Sequence, residues 1–273
     1  MLELKAAIMG LVEGLTEYLP VSSTGHLILT GQGLGFERDL GHDLASAFEI
    51  FIKLGAIFAV LVAYPRRFAG LLDFRAQEGF AGWRGIGLLL CTTAPALVAG
   101  KLLHEHIQQD LFGAKAVAVG LAVGAVWILW VEGKRPCARF SNLDELGWRE
   151  AVGIGLFQCL ALWPGFSRSG ATILGAMVLG LDRKTATEYS FFAAIPVLCA
   201  ASLWSLIGSY QHLQASHVTL FAIGLAVSFV SAFAAVRWLL RFVSHHTLTV
   251  FAWYRLVLAA VVLGALWRGI LQP

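Results

Sequence analysis

Long apolar runs separated by short polar stretches dominate this chain. A spanning helix needs about 20 mostly apolar residues, and six windows qualify: 46–64, 85–103, 113–131, 187–207, 218–236 and 249–267. Two further apolar regions, 4–35 and 150–181, are broken in the middle, one by Pro20-Val21-Ser22-Ser23-Thr24-Gly25-His26 and the other by Pro164-Gly165-Phe166-Ser167-Arg168-Ser169-Gly170. Short half-helices that enter and turn back are the natural reading, because broken backbone at membrane depth survives only where protein or trapped water satisfies it. The pattern therefore predicts an all-α membrane protein with six transmembrane helices and two re-entrant broken-helix regions.

Lysine and arginine orient these elements, since short cytoplasmic loops carry the excess. Loop 65–84 holds Arg66, Arg67, Arg75 and Arg84, loop 132–149 holds Lys134, Arg135, Arg139 and Arg149, and Arg237 and Arg241 precede residue 249. All three belong inside. The stretches 104–112 and 208–217 lack both residue types and belong outside with the C-terminus, as does the segment before residue 46. The broken regions align with each other at an offset of 145: Gly10/Gly155, Leu11/Leu156, Leu15/Leu160, Ser22/Ser167, Gly25/Gly170, Ile28/Ile173 and Leu29/Leu174 are identical. Three spans follow each copy, so the expected plan is one integral membrane domain of inverted repeats, about 1–131 and 150–267, joined by cytoplasmic loop 132–149, with a site where the repeats meet near midplane.

Composition agrees. Hydrophobic residues make up 58% of 273 positions and charged residues 14%, with a mean hydropathy of +0.74, so the bilayer is the expected solvent. A net charge of +3 with basic residues in topology-setting clusters implies no nucleic-acid partner. The four cysteines, Cys91, Cys137, Cys159 and Cys199, are scattered singly and read as structural filler. Met1 opens a segment without a basic leader or cleavage site, which predicts that the first segment is retained. Trp148, Trp204, Trp253 and Trp267 sit near span ends as interfacial anchors. Gly120 and Gly124 form a small-xxx-small pair suited to close helix packing or to dimerisation.

The polar residues carry the candidate chemistry. Glu13 and Glu17, four apart, place two carboxylates on one helical face, a spacing that suits a divalent cation such as Mg²⁺ or Ca²⁺. An interfacial or ion-paired role is the bland alternative, but intramembrane carboxylates usually mark a site. Ser22, Ser23 and Thr24 precede a helix whose N-terminus favours phosphate, or one of them merely caps it. His26, three residues after Ser23, completes a nucleophile-and-base arrangement or is a buried hydrogen-bonding histidine. Arg168, a guanidinium in an apolar region, needs an anionic partner: a phosphate, or Glu13 or Glu17. Ser167, Ser169 and Thr172 offer hydroxyl donors beside it, or back-bond to helix carbonyls. Glu49 and Lys53, also four apart, are expected to neutralise each other.

Glu13-Gly14-Leu15-Thr16-Glu17 followed by Pro20 to His26 resembles the first signature of the bacterial undecaprenyl-diphosphate phosphatases of the bacitracin-resistance type, and Pro164 to Thr172 resembles the second. The resemblance covers essentially the whole chain. It implies hydrolysis of a C55 polyprenyl diphosphate to the monophosphate carrier for peptidoglycan synthesis, with a divalent cation, in the bacterial inner membrane. It also implies an outward-facing site, homodimers, and bacitracin resistance on overexpression. Carried over by motif position, the site comprises Glu13, Glu17, Ser22, Ser23, Thr24, His26, Arg168, Ser169 and Thr172. One position departs: where Lys53 stands, the family usually carries glutamine in the setting Phe48-Glu49, Ile52 and Gly55, so the lysine either adds a phosphate contact or bonds Glu49.

The mechanism expected from these residues is metal-assisted attack on the terminal phosphorus. Glu13 and Glu17 hold the cation, Arg168 and helix N–H groups stabilise the phosphoryl oxygens, and Ser23 or a water attacks with His26 as acid/base. The chief rival is a polyprenyl-phosphate flippase or transporter without hydrolysis, since an inverted repeat serves carriers equally well. A coupled carrier of a soluble solute ranks last, because it leaves Arg168 unexplained.

Overall fold

The computed structural model of the chain describes residues 1–76, 78–103, 113–209 and 217–269, the side chains of 204–209 excepted. Most described residues are helical; residues 135–142 form an irregular stretch that includes one isolated bridge, between Phe140 and Leu181. Among the described residues, six helices are long and apolar enough to cross a membrane: α4 (His42–Ala63), α6 (Gly82–Leu102), α7 (Ala114–Lys134), α10 (Arg183–Ser209), α11 (Val218–Val243) and α12 (Thr249–Trp267). Each coincides with one predicted window. Outward-facing side chains such as Leu90, Val98, Val123, Val126, Val257 and Val261 are more than half exposed, as expected where lipid replaces water. The chain is a multi-pass membrane protein. The anchoring tryptophans Trp148, Trp253 and Trp267 are exposed, whereas the side chain of Trp204, the predicted outside stretch 104–112 and residues 210–216 of the predicted outside stretch 208–217 lie outside the described residues.

Both broken regions form pairs of short helices. In the first, α1 (Leu2–Thr16) stops at the break and α2 (Ser23–Leu34) resumes, followed by a single short turn of helix, α3 (Phe36–Leu40). In the second, α8 (Trp148–Gln158) runs into a 3₁₀ turn, Cys159–Leu162, and α9 (Arg168–Val178) resumes. A last short helix, α5 (Pro65–Leu71), sits in the basic loop after α4.

The packing partners of the two broken regions correspond. α1 lies along α11 and α8 along α6; α4 packs on α11 and α10 on α6; α7 pairs with α12, and α4 with α10. Small residues allow these approaches. A Cβ at Gly14 would collide with Ser231 of α11, and one at Gly155 would come within 2.6 Å of the Thr92 carbonyl of α6. The Gly120/Gly124 pair packs inside the chain: Gly120 lies against the Pro164 carbonyl, and Gly124 makes room for the guanidinium of Arg255.

Candidate active site

Both resumed helices start in the same unusual way. Ser22 (φ 74°, ψ 92°) and Ser167 (φ 79°, ψ 118°) are non-glycine residues at positive φ, a conformation costing on the order of 1–3 kcal/mol each. Each is an N-cap whose Oγ accepts from the backbone N–H three residues on, Gly25 at 3.3 Å and Gly170 at 3.2 Å. These are aligned positions in the two broken regions. The strain turns the chain sharply enough for both helix N-termini, with their unpaired first-turn N–H groups, to face one cavity.

That cavity holds about 210 Å³ and is lined by Glu17, Ser22, Ser23, Thr24, Lys53, Gln158, Ser167 and Arg168, with an apolar wall of Ile50, Leu162, Val197 and Leu198. A larger cavity of about 710 Å³ lies elsewhere, around Glu132, Asp182 and Arg183. There the carboxylate of Glu132 is taken up by Arg183 at 2.6 and 2.8 Å and by the Leu248 N–H, which accounts for its polarity structurally. The smaller cavity is the candidate site, because residues of both motifs converge on it.

Glu17 is its centre. Ser23 Oγ donates to Glu17 Oε2 at 2.5 Å, and Arg168 Nη2 donates to Oε1 at 3.1 Å. Arg168 also bonds the carbonyls of Ser190 (3.1 Å) and Glu17 (3.4 Å) and lies over the Tyr18 ring, while its buried Nε–H finds no partner among the described residues. The guanidinium is thus held by a carboxylate yet keeps a donor in reserve, as an anion-binding arginine requires. Gln158, whose Nε2 donates to the Thr92 carbonyl, likewise keeps a buried, unpartnered Oε1.

Other predicted residues take supporting positions. Ser169 Oγ donates to the Leu19 carbonyl at 2.7 Å, and Thr172 Oγ1 meets Ser190 Oγ at 2.6 Å and the Arg168 carbonyl at 3.0 Å, so both brace the second motif. His26 is not paired with Ser23. Its Nδ1–H donates to the Ser22 carbonyl at 2.7 Å, and its Nε2 meets the Tyr254 hydroxyl at 2.6 Å, with the two rings stacked. The three-residue spacing to Ser23 lost to the break, which turns the serine hydroxyl towards α1. Lys53 also differs from its expected i,i+4 pairing with Glu49. Its ammonium sits 3.2 and 3.3 Å from the two oxygens of Glu13 and 3.7 Å from Glu17 Oε2, because buried carboxylates across the helix interface outweigh a neighbour on the same helix.

This bears on the expected divalent cation. Glu13 is fully buried and Glu17 nearly so, and their oxygens already face Lys53, Arg168 and Ser23. An ion shared by the two carboxylates would stand where the ammonium stands, so with Lys53 in place the pair does not fit a resident divalent ion.

One residue escaped the sequence reading altogether. Arg255, in the middle of α12 and fully buried, donates to five carbonyls: Leu121 (3.2 Å) and Gly120 (3.1 Å) of α7, Pro20 (3.1 Å) of the first break, and Gly165 (3.0 Å) and Phe166 (2.8 Å) of the second. It fastens both breaks to the third span of each half. With Arg168 on the Glu17 carbonyl and Ser169 on that of Leu19, it supplies donors to three carbonyls just beyond the end of α1. The available signal was a lone arginine inside window 249–267.

Residues 6–261 match the protein family described as bacitracin resistance protein BacA. The chain is similar to the undecaprenyl-diphosphatase of Oleidesulfovibrio alaskensis, 51% identical over 95% of this chain and 97% of that protein. It is 52% identical to that of Nitratidesulfovibrio vulgaris, over 94% and 96% respectively. To undecaprenyl-diphosphatase 1 of Chromobacterium violaceum it is 48% identical, over 97% of each. The chain belongs to the bacitracin resistance protein BacA family.

Proposed function

We propose that this chain is an undecaprenyl-diphosphatase: it hydrolyses undecaprenyl diphosphate to undecaprenyl phosphate and phosphate, recycling the lipid carrier for peptidoglycan synthesis and conferring bacitracin resistance. One observation carries the mechanism, the continuous contact from Ser23 Oγ through the Glu17 carboxylate to Arg168 at the mouth of two helix N-termini. Glu17 removes the Ser23 proton as Oγ attacks the terminal phosphorus. The bond from that phosphorus to the bridging oxygen breaks, and undecaprenyl phosphate leaves carrying the proton that Glu17 passes to it. Water then attacks the phosphoserine, giving a proton to Glu17, and the bond from phosphorus to Ser23 Oγ breaks as Glu17 returns that proton to the serine and phosphate is released. The Arg168 guanidinium and first-turn N–H groups of α2 and α9 neutralise the equatorial oxygens, the main task in phosphoryl transfer. The cavity is below the roughly 300 Å³ of ordinary small-molecule pockets, which suits a diphosphate head whose polyprenyl tail lies along the lipid-facing helices.

In this reading the two broken regions are re-entrant halves of an inverted repeat within one membrane domain. The matched helix partners and the shared conformation of Ser22 and Ser167 support it. The protein would reside in the bacterial inner membrane as a homodimer with the site facing the periplasm, the side opposite the basic loops 65–84 and 132–149.

Purified protein in detergent should release phosphate from a polyprenyl diphosphate and yield a serine-linked phosphoryl group at Ser23 on acid quench. No release across several chain lengths would sink the phosphatase and favour the flippase. His26 is assigned a positioning role, holding the Ser22 carbonyl while Tyr254 fixes its tautomer. His26→Gln should therefore lower kcat by about 10- to 100-fold while leaving the shape of the pH–rate profile unchanged. Loss of one limb of that profile would make His26 an acid or base after all.

A further inference from the structure

We propose that the Lys53 ammonium is the built-in cation of the Glu13/Glu17 pair, so that hydrolysis by this chain does not depend on a divalent ion held between those carboxylates. This rests on the phosphatase reading. Glu13 projects from the last turn of α1 and Glu17 from the cap that follows it, and the ammonium of Lys53, on α4, lies within 3.2 to 3.7 Å of both. Its side chain is only 15% exposed, so little water screens the group.

Charge counting gives the same answer. Glu13 and Glu17 face two cations, Lys53 and Arg168, so these four groups balance, with Glu49 a further carboxylate acting on Lys53. A divalent ion added between Glu13 and Glu17 would bring two more positive charges into a poorly screened place and would stand against an ammonium. Lysine brings what the ion would bring electrostatically. It is a compact charge with three N–H donors, and Lys53 lines the same cavity as Ser23 and Arg168. While Glu13 holds it, a donor remains to reach an oxygen of the incoming diphosphate. No additional reactant is needed: Ser23 attacks, Glu17 takes its proton, and Lys53 and Arg168 share the charge on the phosphoryl oxygens.

The test pairs metal binding with turnover, using the full chain in detergent. Mn²⁺ titration followed by electron paramagnetic resonance should find no Mn²⁺ bound to wild type that Glu13→Gln removes. Lys53→Gln, neutral and of similar length, should gain one such site, and Glu13→Gln in that background should abolish it. In turnover, wild type should keep most of its phosphate release in EDTA, whereas Lys53→Gln should fall by about tenfold or more and recover with millimolar Mg²⁺ or Ca²⁺. A wild-type Mn²⁺ site that depends on Glu13, or wild-type activity abolished by EDTA, would overturn the inference while leaving the phosphatase standing. Absence of phosphate release from wild type under every condition would remove the phosphatase reading, and this inference with it. The wild-type measurements decide the matter even if Lys53→Gln does not fold.

Discussion

Glu17→Gln is expected to reduce single-turnover phosphate release by about 10³-fold, within the 10²- to 10⁴-fold range for loss of a general base. Glutamine keeps the volume and, with its carbonyl oxygen towards Arg168, still accepts from the guanidinium while its amide N–H faces Ser23 Oγ, so the substitution removes both the negative charge and the acceptor for the Ser23 proton. Two consequences follow. Ser23 no longer has a proton acceptor at 2.5 Å, and Lys53 and Arg168 are left with one carboxylate between them. Ser23→Ala removes the attacking oxygen and should be comparably inactive. Because the two residues act as one unit, Ser23→Ala/Glu17→Gln should be no slower than either single variant. Rapid-quench measurement of phosphate, with thermal unfolding as a check on folding, decides between roles. If Glu17 only neutralised Arg168, Glu17→Gln would raise KM and lower the unfolding temperature with kcat little changed.

Much of this arrangement was legible in the sequence. Bilayer thickness imposes a length rule on spanning helices, and all six windows were found by it because nothing else makes twenty successive apolar residues. The motifs stood out because serines, carboxylates and arginine are conspicuous among leucine and valine. Partner choice was another matter. Spacing rules that hold along a regular helix paired Lys53 with Glu49 and Ser23 with His26, and both pairs gave way to contacts made across the break. Lys53 reaches 40 residues back to Glu13, and Ser23 six residues back to Glu17. The Ser23 contact follows the turn at Ser22, whose positive φ no periodicity announces, and the Lys53 contact crosses the interface between α1 and α4. Arg255 was hidden for a different reason: its partners are backbone carbonyls, and every residue has one.

Arg255 also underlies the second large effect. Arg255→Met fills much of the same volume but strands the carbonyls of Pro20, Gly165 and Phe166 in the breaks that shape the site, while those of Gly120 and Leu121 lose the guanidinium but keep their helical N–H partners. Each stranded buried acceptor costs about 1–3 kcal/mol when nothing replaces its partner. Partial relaxation of the loops would leave a net destabilisation of about 3–5 kcal/mol, typical of breaking a buried charged network. A marked drop in thermal unfolding temperature in detergent is therefore expected, together with loss of phosphate release, since Pro20 and Gly165 flank the strained caps Ser22 and Ser167. Arg255→Lys should recover only part of either property, because one ammonium cannot reach five carbonyls that surround a planar fork. Gly124→Ala provides an independent route to the same defect. A methyl there overlaps the guanidinium itself, so the variant should displace Arg255 from its seat and reproduce the loss without altering any polar group. If Gly124→Ala were as stable and active as wild type, Arg255 would not be the clasp that holds the two breaks together. If it failed in the manner of Arg255→Met, the site would depend on a residue in the last span that touches neither serine nor carboxylate, only the backbone that aims them.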